Sequence, residues 1–460
     1  MSIWYRGLVC ISIYLISACT SSSLNHTTFA EYQRLQSEQS KNPSTSKLPS
    51  RPALATQAIK KILEIKEPTG TLSLQQAIAL TMIHNPLISA QTLEIRVAEA
   101  RMLQATLWPN PEIGVEFEKF SGNREFSGMQ SFEIGINLAQ TFPLGGDLKK
   151  RHTLAWYQRQ LINWDYEALR LQTLTTLNQR YIQVLAMEQR FFIARDMLKV
   201  AHRLQEAISQ NAPPQASDPL LNAQVSAQLS LAKVGINRTK RQFQLAKQQL
   251  ALMWASKKPK FKKVKGSLYQ VNKPPQAEKL IHLVSHNPTV ARWATEISAR
   301  LAAVQVIEAE ATPDFTVELG YIYEHADKVV YPVVGVALPL TIFDQRQGDL
   351  QAAQLQAVIA RRQQKVAELR VESMLSNSYT RLMNAYDEVK QLRDEILPSI
   401  SNVFEMAKIK VQKDPNFIHE MLGAKRTLLE FKMNYIDALV RYHQALIELE
   451  SIIGQSIFSL

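Results

Sequence analysis

Cysteine and glycine are both scarce in this 460-residue chain, and each scarcity excludes a class of protein. The two cysteines, Cys10 and Cys19, lie near the N-terminus, which excludes a disulfide scaffold or a cysteine nucleophile in the rest of the chain. Only 15 glycines favour long helices over a compact all-β protein. Phosphate-binding glycine loops and nucleophile elbows are also missing. We therefore predict a protein that is not an enzyme and needs no cofactor, with a hydrolase as the weakest alternative.

Positive charge is in excess, at a formal +12, which permits an acidic partner. The longest basic run is residues 257–265 (KKPKFKKVK), and no nucleic-acid-binding module surrounds it. We predict a solvated linker there and no binding to nucleic acid.

The N-terminus has the pattern of a secretory signal peptide. One positive charge precedes an apolar stretch at residues 8–16, which is too short for a permanent membrane helix. Small residues then precede Cys19, and this ending resembles the lipobox of bacterial lipoproteins. The resemblance implies a signal peptide over residues 1–18, acylation of Cys19 and a tether over residues 19–70. Thr20 replaces the aspartate that retains lipoproteins in the inner membrane, which favours the outer membrane. The alternative is an ordinary signal peptide with a chance cysteine.

The remaining chain contains two copies of one pattern. His84-Asn85-Pro86 recurs 202 positions later as His286-Asn287-Pro288, and the stretch from Pro111 recurs at the same offset from Pro313. We therefore predict a duplicated unit over residues 71–270 and 271–460.

Each copy has the sequence of long helices flanking a strand pair. Pro86 and Pro288 suit the first turn of a helix. Residues 147–212 and 349–397 contain no proline, and the spacing of Leu161, Trp164, Ala168 and Leu171 is that of a coiled-coil seam. Pro398 permits a kink without ending its helix.

Apolar and polar residues alternate strictly in the two predicted hairpins, residues 112–142 and 314–340. This period suits strands of a transmembrane barrel, and a half-buried soluble hairpin has the same pattern. The outer-membrane anchor favours the barrel. Because four strands cannot close in lipid, other copies of the chain must complete it.

These features resemble the TolC-like outer membrane efflux family over residues 71–458. Residues 71–78 (TLSLQQAI) with residues 84–86 look like its opening motif, and residues 423–430 (GAKRTLLE) look like its closing helix. Residues 140–146 (QTFPLGG) resemble the CzcC-like heavy-metal branch. The resemblance implies a mainly α fold with a membrane β-barrel portion, in which three chains share a twelve-stranded barrel and form a coiled-coil α-barrel tunnel.

The function implied is that of a tripartite efflux pump's outer-membrane channel, which conducts substrate passively to the exterior of a Gram-negative bacterium. Its expected partners are two further copies of the chain, a periplasmic adaptor, an inner-membrane transporter of the RND type and outer-membrane lipid. The alternatives are the outer component of a type I secretion system and a coiled-coil lipoprotein without a pore. Metal cations, drugs and secreted proteins all remain open as substrates.

Two sets of acidic residues are candidates for channel function. The first lies opposite the apolar strand positions, where it would line a lumen and attract cations or simply solvate the wall: Glu112, Glu116, Glu118, Glu133, Asp314, Glu318 and Glu324. The second is Asp414 and Asp218, at the two turns that resemble the family's periplasmic gate. Both turns depart from the family pattern, at residues 409–412 and 211–214.

No metal site is predicted. His282 and His286 are four residues apart, but His286 belongs to the helix-starting turn. The pair His419-Glu420 has Gly423 where a zinc protease needs its second histidine. Residues 324–327 are expected to form an exposed polar loop.

Overall fold

The computed structural model describes residues 67–121, 131–211, 219–284, 287–414, 417–454 and 457. Its helices are α1 (Leu74–His84), α2 (Pro86–Gln104), α3 (Asp147–Asn211), α4 (Pro219–Ala251), α5 (Ala277–Ile281), α6 (Pro288–Glu310), α7 (Gln347–Gln391), α8 (Leu397–Lys413) and α9 (Ile418–Ile453). Its strands are β1 (Thr71–Leu72), β2 (Glu112–Glu118), β3 (Glu133–Phe142), β4 (Lys263–Val264), β5 (Phe315–Glu324) and β6 (Val329–Ala337). The predictions for Cys19, Asp218, His286 and residues 19–66 of the tether lie outside the described residues. Residues 67–70 of the predicted tether instead contact the core, since Glu67 accepts from Trp254 Nε1 at 3.2 Å and Gly70 O accepts from the N–H of Lys262 at 2.8 Å.

Asparagine side chains start the helices α2 and α6. Asn85 Oδ1 accepts from the backbone N–H of Leu87 at 2.9 Å, and Asn287 Oδ1 accepts from that of Thr289 at 2.8 Å. A proline follows each asparagine in the first turn, where its missing N–H costs nothing. The predicted helix starts at these prolines are confirmed.

The longest helix, α3, has 65 residues without interruption. It packs against α4, α6 and α9, and Trp164 Nε1 donates to Thr295 Oγ1 of α6 at 3.0 Å. The corresponding rod of the second copy is interrupted, because a π turn at Leu392–Ile396 separates α7 from α8. Pro398 lies in the first turn of α8, where its missing N–H is tolerated, and the backbone stays helical from α7 through the π turn into α8. The prediction that Pro398 does not end the rod is confirmed, and the kink stays a prediction.

The four long strands form one antiparallel sheet in the order β2-β3-β5-β6. Each hairpin supplies two adjacent strands, and β3 pairs with β5 through ten residue pairs from Glu133↔Glu324 to Phe142↔Phe315. Strand β2 ends at Glu118, earlier than the alternation suggests, because Lys119 takes a left-handed conformation with φ of 54°. The outer strands β2 and β6 each have one edge that no described strand covers.

The main core lies away from this sheet, where α3, α7 and α9 meet the segments around β1 and β4. Tyr181 Oη donates to the carbonyl oxygens of Leu72 at 2.9 Å and Lys265 at 2.6 Å. Strands β1 and β4 pair in parallel there, a contact that the sequence pattern does not predict. Phe261, at 2% exposure, anchors the basic run, so this run is held to the core and is not a free linker. Within the described ranges, no helix is both long and apolar enough to cross a membrane.

Candidate functional site

The sheet has two chemically different faces, as its alternating sequence predicts. Cross-strand pairs such as Val115↔Ile136 and Ile136↔Tyr321 place the apolar residues on one face. Many of these side chains are exposed, although they are large and apolar: Ile113, Val115, Phe117, Ile136, Leu138, Leu319, Tyr321, Tyr323, Val330, Val334 and Val336. An exposed apolar surface of this size is typical of an interface with lipid or protein.

The opposite face carries the strand carboxylates named from the sequence: Glu112, Glu116, Glu118, Glu133, Glu318 and Glu324. Asp314 lies just before β5, and its Oδ1 accepts from the backbone N–H of Leu144 at 2.9 Å. It therefore stands apart from the strand set and joins the two copies at the base of the sheet.

Three of the carboxylates lie in one row near the loop end of the sheet. Glu133 is directly opposite Glu118 on one side and Glu324 on the other. Like charges opposite each other repel, and Lys119 Nζ offsets this by contacting Glu133 Oε1 at 2.5 Å. Lys119 is a residue that the sequence analysis does not single out. The row combines three acids with one base, which leaves it negatively charged.

Asn137 occupies the centre of the polar face between two glycines, Gly114 and Gly320, which lie directly opposite it. Its Nδ2 donates to Glu116 Oε1 at 3.4 Å and also to Glu318. A Cβ atom on Gly114 would lie 2.1 Å from Asn137 Oδ1, so the glycine makes room for the amide. The alternation of polar and apolar residues does not single out Asn137, although the glycines at polar positions could have indicated a crowded face.

A second cluster of charges lies at the base of the sheet, where β3 leads into α3. Asp147 is 4% exposed and contacts Arg151 at 2.8 Å through Oδ2, while Arg151 also contacts Glu310 at 3.3 Å. Arg346 contacts the same Glu310 at 2.9 Å. Burial raises the pKa of the Asp147 carboxyl above its ordinary value, and Arg151 opposes that rise. The cluster ties both copies together below the sheet.

Asp414, the gate candidate, caps the C-terminus of α8 at the opposite end of the long helices. Its backbone N–H donates to Lys410 O at 2.9 Å, and its carbonyl oxygen accepts from the N–H of Phe417 at 3.2 Å. Lys410 Nζ contacts Glu420 Oε2 at 3.4 Å and lies 5.3 Å from the centre of the Phe417 ring. Lys410 and Glu420, which the sequence analysis does not name as gate residues, therefore fasten the same turn.

The rejected metal candidates stay apart in the structure. Residues 325–328 form an exposed turn between β5 and β6. His282 ends α5, whereas His419 and Glu420 lie in the first turn of α9. The described residues contain no cluster of three or more histidine, cysteine, aspartate or glutamate side chains placed to hold a metal ion.

The sequence of this chain is similar to a known protein family and to a protein of known name. The family model described as "Outer membrane efflux protein" matches residues 77–256 and 282–455. The cobalt-zinc-cadmium resistance protein CzcC of Cupriavidus metallidurans is 25% identical over 390 residues, which cover 85% of this chain and 92% of CzcC.

Solved structures have the same fold. A crystal structure of CusC superposes with a TM-score of 0.68 at 15% identity, covering 83% of this chain and 92% of CusC. The Campylobacter jejuni CmeC outer membrane channel superposes with a TM-score of 0.67 at 12% identity, covering 90% of each chain. The predicted fold class, mainly helical with four strands from a duplicated unit, is confirmed.

Proposed function

Since the chain belongs to the outer membrane efflux protein family, we propose that it is the channel subunit through which a tripartite pump releases substrate. The subunit is passive: an inner-membrane transporter of the RND type supplies the energy, and a periplasmic adaptor connects the two. Substrate passes through a tunnel of helices and then through a barrel in the outer membrane.

One observation carries this proposal, namely the sheet with an exposed apolar face, a carboxylate-rich face and two uncovered edges. Lipid accepts the apolar face but not the edges, whose backbone groups would lose their hydrogen bonds. Three copies supply twelve strands, enough to close a barrel around the carboxylates. The lumen is then lined by the strand glutamates and by Asn137, and Asp314 lies at its base.

The long helices extend the channel away from the membrane. At 1.5 Å per residue, the 65 residues of α3 span about 98 Å. This length suits a tunnel across the periplasm, whose far end is closed by the turns that contain Asp414 and Asp218. Acylation at Cys19 holds the N-terminus to outer-membrane lipid, and two or more acyl chains make such an anchor stable.

The substrate class we favour is a divalent metal cation. Carboxylates on the polar face raise the local concentration of cations, and the relative CzcC is named for resistance to cobalt, zinc and cadmium. The channel wall acts by attraction, since the described residues include no group of side chains placed to hold a metal ion.

Conductance of the purified full-length protein in planar lipid bilayers tests this function. We expect trimers to conduct and to prefer cations, most strongly at 0.01 M salt, where the Debye length is about 30 Å. Replacing Glu116, Glu118, Glu133 and Glu318 with Gln should shift the reversal potential towards that of a non-selective pore. The matched control replaces Glu94, Glu278, Glu308 and Glu372, which are exposed on helices, with Gln. A monodisperse monomer without conductance would contradict the proposal.

A further inference from the structure

The positive charge of the chain is concentrated in one part of the sequence. Residues 219–277 contain twelve lysines and arginines and no aspartate or glutamate. Seven of these lysines lie in a stretch of 17 residues beyond α4, and all seven are exposed: Lys257, Lys258, Lys260, Lys262, Lys263, Lys265 and Lys273. We call residues 257–273 the basic segment.

The basic segment is fixed to the core by its backbone and its apolar side chains. Glu67 Oε1 accepts from the backbone N–H of Lys260 at 2.5 Å, and the N–H of Lys265 donates to Leu72 O at 2.8 Å. Phe261, Val264 and Leu268 are buried at 2%, 5% and 1% exposure, so the lysines between them are directed outwards. An ordered row of cations binds a polyanion with less loss of entropy than a flexible linker would.

In the part of the chain that the structure describes, few carboxylates lie near the lysines of the basic segment: Lys263 acts on the Glu188 carboxyl, and Glu67 accepts from the backbone of Lys260. None of them forms an ion pair with a carboxylate elsewhere in the described part of the chain. A contact with the same segment of another copy is also disfavoured, because like charges would face each other. The partner that fits is therefore a molecule rich in carboxylates or phosphates.

The distance between the basic segment and the sheet limits which polyanion the segment can bind. Tyr181 of α3 holds Lys265, and Tyr181 is 34 residues from the start of α3 at the base of the sheet. At 1.5 Å per residue, the segment is about 50 Å from the sheet. Lipid headgroups around the sheet cannot act over that distance, because the Debye length at physiological salt is about 8 Å.

We infer that the basic segment binds peptidoglycan, whose stem peptides carry free carboxylates, and so holds the channel in the cell wall. This inference rests on the proposed function, because only an outer-membrane position of the sheet places the segment in the periplasm. The lysines bind the carboxylates as exposed point charges, so the interaction is weak at each site and depends on several sites together.

Co-sedimentation of the detergent-extracted full-length protein with isolated Gram-negative sacculi tests the inference. We expect binding in 0.05 M NaCl that falls at least tenfold when Lys257, Lys258, Lys260 and Lys262 are replaced with Gln. A control variant replaces four exposed helical lysines with Gln and should bind like the wild type: Lys199, Lys365, Lys390 and Lys408. Amidation of the sacculus carboxylates, or 1 M salt, should also abolish binding.

Equal binding by the two variants, or undiminished binding to amidated sacculi, would overturn the inference. Binding of the wild type to anionic lipid vesicles or to the periplasmic adaptor, without binding to sacculi, would overturn it as well. Conductance is measured on the same preparations. A wild type that conducts but does not sediment with sacculi contradicts this inference alone, whereas one that does not conduct contradicts the proposed function.

Discussion

The two halves of the chain begin α2 and α6 in the same way but differ in their long helices, which are α3 in the first half and α7 with α8 in the second. Asn85 and Asn287 each cap a helix and donate through Nδ2 to a carbonyl oxygen at the end of their own half, Met253 O at 2.9 Å and Ile452 O at 2.7 Å. In the first half the rod is the continuous helix α3, whereas in the second a π turn divides it. Duplication has kept the asparagine caps and changed the long helices, which gives the second half a π turn that α3 lacks.

The largest expected effect comes from giving the first half the proline of the second without its π turn. Position 196 is 202 residues before Pro398, and Asp196→Pro places proline in the interior of α3. We expect it to lower the free energy of unfolding by about 3 kcal/mol or more, because α3 has no π turn to accommodate the ring. Thermal unfolding by circular dichroism in detergent measures this.

Asp196→Ala is the control, since it removes the same exposed carboxylate, with its contact to Lys199 at 3.1 Å and its charge near Lys425, but keeps the backbone N–H. An unchanged melting temperature for Asp196→Pro would mean that α3 accommodates proline as well as α7 and α8 do. The proposed difference between the two halves would then be wrong.

The second largest effect should come from removing the asparagine that each half uses to cap its helix. Asn85→Ala and Asn287→Ala should each cost about 2 kcal/mol or more, because each loses a helix cap and leaves a buried carbonyl oxygen without its donor. Asn85→Ser and Asn287→Ser keep the cap and lose only the donor, so they should cost less. Thermal unfolding of the four variants under identical conditions tests this. Unequal losses of stability in the two halves would contradict the equivalence of Asn85 and Asn287.

Much of this architecture follows from local patterns in the sequence. Period-two alternation assigns the two faces of the sheet, and the prolines mark the starts of α2 and α6. The β1–β4 pair is only two residues long in each strand and joins positions about 190 residues apart, so no periodic pattern reveals it. The contact of Asn137 with Glu318 depends on the register between β3 and β5, which come from different halves of the chain, so no local pattern reveals it.

A smaller, pH-dependent effect distinguishes Asp147 from Asp349, its counterpart 202 positions later. The side chain of Asp147 is 4% exposed and that of Asp349 is 69% exposed. Burial raises the pKa of Asp147, so the folded protein binds this proton more readily than the unfolded chain does. The stabilisation from this group is complete below the ordinary pKa of aspartate and is lost as the pH rises through the raised value.

Asp147→Asn mimics the protonated carboxyl, so it should raise the free energy of unfolding at pH 7. The gain should disappear below the ordinary aspartate pKa, where the wild type is itself protonated. Asp349→Asn should not raise the free energy of unfolding at pH 7, because this side chain is exposed and loses its contact with Arg346 at 3.9 Å. A loss of stability at neutral pH in Asp147→Asn would show that the contact with Arg151 outweighs the burial cost.

The smallest expected effect concerns the two tips, where we propose that Asp414 and Asp218 help to close the periplasmic mouth. Three copies of Asp414 around an axis repel each other, so closure needs a cation such as Lys413 of a neighbouring copy. An exposed pair of this kind contributes only about 0–1 kcal/mol. Contacts of this size can bias a gate without locking it, as suits a mouth that a partner opens.

Asp414→Ala should therefore raise single-channel conductance, or antibiotic uptake by cells, without changing trimer stability. Lys410→Ala is the matched comparison, because it removes the contact with Glu420 that fastens the α8–α9 turn within one chain. If closure depends on charge between copies, Asp414→Ala should open the channel more than Lys410→Ala does. If Asp414→Ala and Asp218→Ala both leave conductance unchanged, the gate is formed by packed contacts such as Lys425 over the Phe404 ring, 4.5 Å from its centre.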